Sequence, residues 1–202
     1  GCWTAPPLSK AGSLPMKKPK KEEKPLSGAQ DAYEWLQILI VALVTIILVF
    51  TFVGRITPVV GESMLPTLHE GDVMLIRDIG YTDPQPGDIV VLTKEFDAAR
   101  GPIVKRIIAV EGQTVDIDYQ TGTVYVDGEA LDEPYLNEPM EEPWYEDLTS
   151  VTVPEGSVFV MGDNRNHSND SRDVTLGTVD TRYLLGKAEF ICFPFSDFGR
   201  IG

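Results

Sequence analysis

A chain of 202 residues is long enough for one sizeable domain and an anchor, and too short for two large domains. Its formal charge of −14 excludes a nucleic-acid binder, because phosphate recognition needs a basic footprint that this surface lacks. Two cysteines, Cys2 and Cys192, supply neither a disulfide framework nor a zinc cluster, and the two histidines, His69 and His167, suggest no metal site by their spacing.

Residues 1–34 carry six lysines against four acids, and everything after them eleven basic residues against twenty-seven acidic ones. The first stretch is rich in Pro, Lys, Ser and Gly, and it predicts a disordered, basic tail. The run WLQILIVALVTIILVFTFV begins at Trp35, is uncharged, and predicts a transmembrane helix over 35–54. A cleavable signal peptide would have a shorter apolar region of about 7 to 15 residues ending in a small-x-small site. Lysines before the span, and few basic residues directly after it, predict a cytoplasmic tail and an extracytoplasmic remainder beyond Arg55. On that reading Cys2 and Cys192 cannot pair within one chain.

Residues 55–202 predict a mostly β domain. Short apolar runs at 73–76, 88–93, 104–110, 114–118, 123–126 and 158–160 are punctuated by Gly, Pro and Asp and read as strands. Tyr119 to Gly122 reads as a hairpin loop, Pro86-Gly87-Asp88 as a turn into a strand, and Cys192 as a buried strand residue. A small hairpin and acidic-loop insertion is expected over about 112–153, in which the Pro- and acid-rich stretch 131–145 reads as a surface loop.

Ser63 follows the span by only about ten residues, and an extended chain covers at most about 3.6 Å per residue, so it lies near the membrane surface. A serine hydroxyl needs a base to become a useful nucleophile. Asp or Glu could serve, as could His69 or His167, but Lys105 is the more suggestive candidate, because it is flanked by apolar β residues that can desolvate its amine. Near pH 7.5 an unperturbed lysine is neutral in only about one molecule in a thousand, so the site must lower its pKa by about three units. The expectation is that Asp and Glu are kept away from this ammonium.

The segments GESMLPTL around Ser63, GDIVVL from Gly87, VKRIIA around Lys105 and MGDNRNHSNDSR from Met161 to Arg172 resemble, in order, the motif boxes of bacterial type I signal peptidases. The resemblance runs from the anchor to about Phe190. It implies a β domain of coiled antiparallel sheets like that of self-cleaving LexA-type repressors, with Ser63 as nucleophile and Lys105 as general base. It further implies that Ser168 orients the lysine amine, that Asp170 and Arg172 pair to brace their loop, and that Asp163 pairs with Arg106. Gly61 stands where some members place a serine whose hydroxyl serves the oxyanion. Glycine excludes such a donor and permits either a close backbone approach or a tight turn.

The same resemblance implies a single-pass enzyme of the bacterial cytoplasmic membrane that needs no cofactor and clips signal peptides from exported preproteins. Its partners would be the lipid bilayer, membrane-tethered preproteins with small, alanine-like residues one and three positions before the cut, and, as a further candidate, the secretion translocon. A same-fold peptidase with a narrower client, or a silent membrane-anchored β scaffold, are the rival readings.

Overall fold

The computed structural model describes Gly1 and residues 28–52, 55–96, 101–142 and 147–201; the basic cluster at 17–24 and Cys2 lie outside the described residues. The chain divides into two units, Gly1–Leu43 and Val44–Gly202.

Helix α1 spans Gly28–Phe52, 25 residues and about 37 Å at 1.5 Å per residue. It begins before the apolar run, so the last residues assigned to the tail are helical. Ala29, Gln30 and Glu34 are good helix formers there, and Asp31 stands in the first turn, where its charge complements the helix dipole. Gly28–Leu48 is long and apolar enough to cross a membrane, and none of the window is buried against protein. A helix that is apolar on all sides and covered by nothing matches lipid rather than water.

The β body contains two sheets of antiparallel strands. The strands are β1 (Arg55–Pro58), β2 (Val73–Arg77), β3 (Ile89–Leu92), β4 (Ile103–Val110), β5 (Thr114–Asp118), β6 (Thr123–Val126), β7 (Glu129–Ala130), β8 (Ser150–Thr152), β9 (Ser157–Met161), β10 (Val179–Asp180), β11 (Leu184–Phe193) and β12 (Gly199–Arg200). The larger sheet runs β1-β2-β11-β3-β4-β9-β10 with β12 on β11, and the smaller runs β7-β6-β5-β8.

Burial explains these patterns. Strand β2 alternates half-buried Val73, Leu75 and Arg77 with buried Met74 and Ile76, whereas β3 is buried throughout, as its unbroken IVVL run requires. Ile89 and Val91 join one core with Met64, Leu68, Met74 and Ile76, while Val90 and Leu92 join a second with Ile107, Val160 and Leu176. A third core ties the small sheet to the large one through Val115, Val124, Met140, Phe159 and Met161. The small sheet is built from residues between Thr114 and Thr152, and its β5–β6 hairpin turns at Tyr119 to Gly122.

Two expectations are corrected. Cys192 is half-buried rather than buried, since it lies on β11 where alternate residues face outward. Residues 131–142 are not a plain surface loop: Met140 is 3% exposed within the third core, and Leu131 packs beside it.

Candidate active site

Ser63 sits in a run of turns between β1 and β2, and Lys105 on the central strand β4. Met64 and Leu68, which follow Ser63 in this run, are buried in the first core and hold it against the sheet. Gly61 opens the turn at φ 87°, a conformation that L side chains rarely adopt, and a Cβ there would meet nothing within 4 Å. Backbone conformation is thus a sufficient reason for glycine.

Lys105 Nζ donates to Ser63 Oγ at 2.6 Å, and Lys105 is 3% exposed. Burial pushes its pKa down to about 8; Asp170 opposes that shift, Arg172 adds to it and Asp163 opposes it. At pH 7.5 a pKa of about 8 leaves about a quarter of the amines neutral. The neutral lone pair can then accept the proton that the serine hydroxyl must lose.

The expectation that carboxylates avoid this ammonium is overturned, since Asp170 and Asp163 are both close enough to act on it. Each of them is neutralised by a guanidinium of its own, which is why burial still prevails. Arg172 Nε and Nη2 donate to Asp170 at 2.8 and 2.9 Å. Arg106 Nε and Nη2 donate to Asp163 at 2.8 and 2.7 Å. Burial alone would raise the Asp170 pKa, but the charge and hydrogen bonds of Arg172 hold it below the usual carboxylate range.

Ser168 Oγ donates to Asp170 Oδ2 at 2.7 Å, and the Gly162 N–H donates to the same oxygen at 2.9 Å. Ser168, Asp170 and Arg172 are all buried, and Arg172 also donates to the Ser168 carbonyl at 3.2 Å. His69 and His167 are exposed.

Several residues beyond the expected set hold this geometry. The Asn164 N–H donates to the Ser63 carbonyl at 3.0 Å, and Asn164 Nδ2 to the Glu62 carbonyl at 3.0 Å, so the loop after β9 grips the backbone at Ser63. Thr67 Oγ1 donates to Asp163 Oδ2. A Cβ on Gly162 would overlap the Ser168 hydroxyl and the Ser63 carbonyl, so only glycine fits. Arg165 and Glu133 form a further ion pair with side chains 1% and 7% exposed. Asn164, Gly162 and Arg165 lie within the motif that includes Ser168, which was the available signal; Glu133 lies in an acidic stretch that reads as solvated.

A hydroxyl held against a desolvated amine, with both histidines at the surface, defines a class: serine hydrolases in which a lysine replaces imidazole as the base. The family model described as signal peptidase, peptidase S26, matches residues 32–193. A probable signal peptidase I-1 of Synechocystis sp. is 40% identical over 178 residues, covering 84% of this chain and 86% of its own. A signal peptidase I of Bacillus licheniformis is 36% identical, covering 87% of this chain and 96% of its own. A crystal structure of a signal peptidase I from Enterococcus faecalis matches at 33% identity with a TM-score of 0.43, covering 52% of this chain and 97% of that one. The chain belongs to the S26 signal peptidase family, and with its apolar helix it is a membrane-anchored peptidase.

Proposed function

We propose that this chain is a signal peptidase I that cleaves N-terminal signal peptides from exported preproteins, with Ser63 as nucleophile and Lys105 as general base. The observation that carries the reading is the 2.6 Å contact between Ser63 Oγ and an amine whose pKa lies near 8. Ser63 Oγ attacks the scissile carbonyl while Lys105 Nζ takes its proton. The Ser63 N–H, which donates to no backbone carbonyl among the described residues, is the donor for the developing oxyanion. Collapse breaks the C–N bond, and Lys105 returns the proton to the departing amine. A water then attacks the acyl ester, giving its proton to Lys105, and Ser63 is regenerated. Ser168 and Asp170 orient the amine, and the Asp163–Arg106 pair fixes the strand beside it.

Residues 1–27 with the start of α1 form the cytoplasmic side, α1 crosses the cytoplasmic membrane once, and the β body works on the outer face. The preferred substrates carry small residues one and three positions before the cut, and the translocon delivers them. Apolar side chains support work at a lipid surface: Phe193, Phe195 and Phe198 are 53%, 82% and 64% exposed on the C-terminal ribbon. Burying a Phe contributes about 1.5–3 kcal/mol. The pair of substitutions Phe195→Asp and Phe198→Asp is therefore expected to slow cleavage of a vesicle-embedded preprotein by about tenfold or more. Cleavage of a short soluble peptide should be unchanged; equal loss on both substrates would defeat the lipid role.

The pH dependence follows from the lysine. With burial lowering its pKa to about 8, kcat/KM should climb with pH, with a single-proton midpoint near 8, and should ignore chelators. A rate that is flat from pH 6 to 10, or an absolute metal requirement, would contradict the assignment. The experiment that tests the function itself is cleavage of a purified preprotein by the full chain in detergent, with Ser63→Ala as control. Intact precursor with the unsubstituted chain would favour a silent scaffold.

A further inference from the structure

The stretch 131–142, which the sequence presents as solvated, is clasped onto the loop that grips Ser63. Its two ends are fixed against the small sheet: the Leu131 N–H donates to the Val124 carbonyl at 2.9 Å, and Met140 is buried in the third core. Its middle reaches the two arginines behind the active site. Glu133 accepts a fork of hydrogen bonds from Arg165 Nη1, at 3.0 Å, and Nη2. The Tyr135 ring lies over the Arg106 guanidinium, 4.0 Å from its carbon, and the Tyr135 hydroxyl donates to Glu133 Oε1 at 3.0 Å. On the same side, Asn166 Nδ2 donates to Glu138 at 2.9 Å, and the Glu141 N–H donates to Asn166 Oδ1 at 2.8 Å.

Arg106 and Arg165 are not ordinary anchoring points. Arg106 holds Asp163 on one side of the Asn164 grip, and Arg165, whose Nε donates to the Gly162 carbonyl at 3.0 Å, holds the other. A hydrogen-bonded pair such as Ser63–Lys105 transfers its proton only within a few tenths of an ångström of its working separation, and a misplacement of about 1 Å can cost about a hundredfold. A ring stacked on a buried guanidinium restrains that cation in two directions without placing another charge near Lys105.

We propose that Tyr135 and Glu133 are positioning residues for the reaction: the clasp from the small sheet locks Arg106 and Arg165, and through the 162–166 turn fixes Ser63 against Lys105. The inference rests on the assignment of Ser63 and Lys105 as the reacting pair. Glu133 and Tyr135 touch neither reacting atom, so their contribution appears in kcat and leaves substrate affinity alone.

The test compares Tyr135→Leu, Tyr135→Phe and Asn166→Ala with the unsubstituted full chain, measuring kcat and KM on one preprotein and folding by circular dichroism. Tyr135→Leu is expected to lower kcat about tenfold with KM changed less than twofold, and Tyr135→Phe, which keeps the ring on Arg106, should restore it. Asn166→Ala, at a half-buried position outside the buried ion pairs, should lower kcat in the same manner and keeps the test open if Tyr135→Leu does not fold. A folded Tyr135→Leu with unchanged kcat, a loss confined to KM, or a Tyr135→Phe as poor as Tyr135→Leu would overturn the proposal. Ser63→Ala in the same assay separates the two levels: cleavage surviving there defeats the assignment of the pair, whatever Tyr135 does.

Discussion

Replacing Lys105 with methionine is expected to abolish cleavage and, in acid solution, to make the folded chain more stable. The loss of activity should reach about 10⁴-fold or more, as it should for Ser63→Ala, because nucleophile and base act as a unit. Lys105→Arg should be equally inactive, since a guanidinium stays protonated and cannot accept the serine proton. The stability effect runs the other way. The buried amine has its pKa lowered to about 8, against about 10.4 in an unfolded chain. Between those values the unfolded state binds more protons, so wild-type stability rises with pH across the window, and below pH 8 the full penalty remains. That penalty is about 3 kcal/mol. Lys105→Met should therefore exceed wild type by about 3 kcal/mol in urea denaturation at pH 6, with the advantage gone above about pH 10.5. A methionine variant that is destabilised at pH 6 would mean that the ammonium is well solvated or well paired, and not strained by burial.

The second large effect concerns the ion pair behind Ser168. Asp170 and Arg172 have side chains 0% and 1% exposed, and removing one partner strands a buried charge at a cost of about 3–5 kcal/mol. Asp170→Asn keeps the shape but removes the carboxylate charge that Arg172 donates to at 2.8 and 2.9 Å, so it should lower stability by that amount and reduce activity as Ser168 loses its charged acceptor. The double replacement Asp170→Leu with Arg172→Met removes both charges and should recover most of the stability. It should not recover cleavage, because the Ser168 hydroxyl would still lack the carboxylate that it donates to at 2.7 Å. Recovery of both together would reduce the pair to scaffolding; recovery of neither would point to packing rather than charge.

The elements most legible in the sequence were those whose burial follows a local rule. The apolar run from Trp35 and strands β2 to β6 and β9 follow from hydrophobic spacing and from Gly and Pro punctuation. Strand β11 was harder to read, although it is the longest, because Gly186 and Lys187 interrupt it and its exposure alternates irregularly over 10 residues. Gly186 is required where the Arg77 carbonyl approaches so closely that a Cβ would overlap it, a long-range constraint that no local pattern carries. Strands of two or three residues, such as β7 and β10, are defined by their partners and not by their own composition.

The site divides along the same line. Ser63 and Lys105 were visible because each sits in a short segment of unusual chemistry. Carboxylates sit near the ammonium, against expectation, because Asp170 and Asp163 come with Arg172 and Arg106 attached and reach Lys105 largely neutralised. Glu133 was unreadable for a related reason: an acid that follows another acid and precedes a proline looks solvated until the arginine 32 residues later in the chain is known to lie beside it.

Catalysis by this pair depends on the protonation of one amine. Lysine labelled at Cε, followed by NMR through a pH titration of the full chain in detergent with Lys105→Met to assign the resonance, reads it directly. Lys105 should titrate with a midpoint near 8, set apart from the solvated lysines. A Lys105 resonance that titrates with them, at 10 or above, would contradict its assignment as the base.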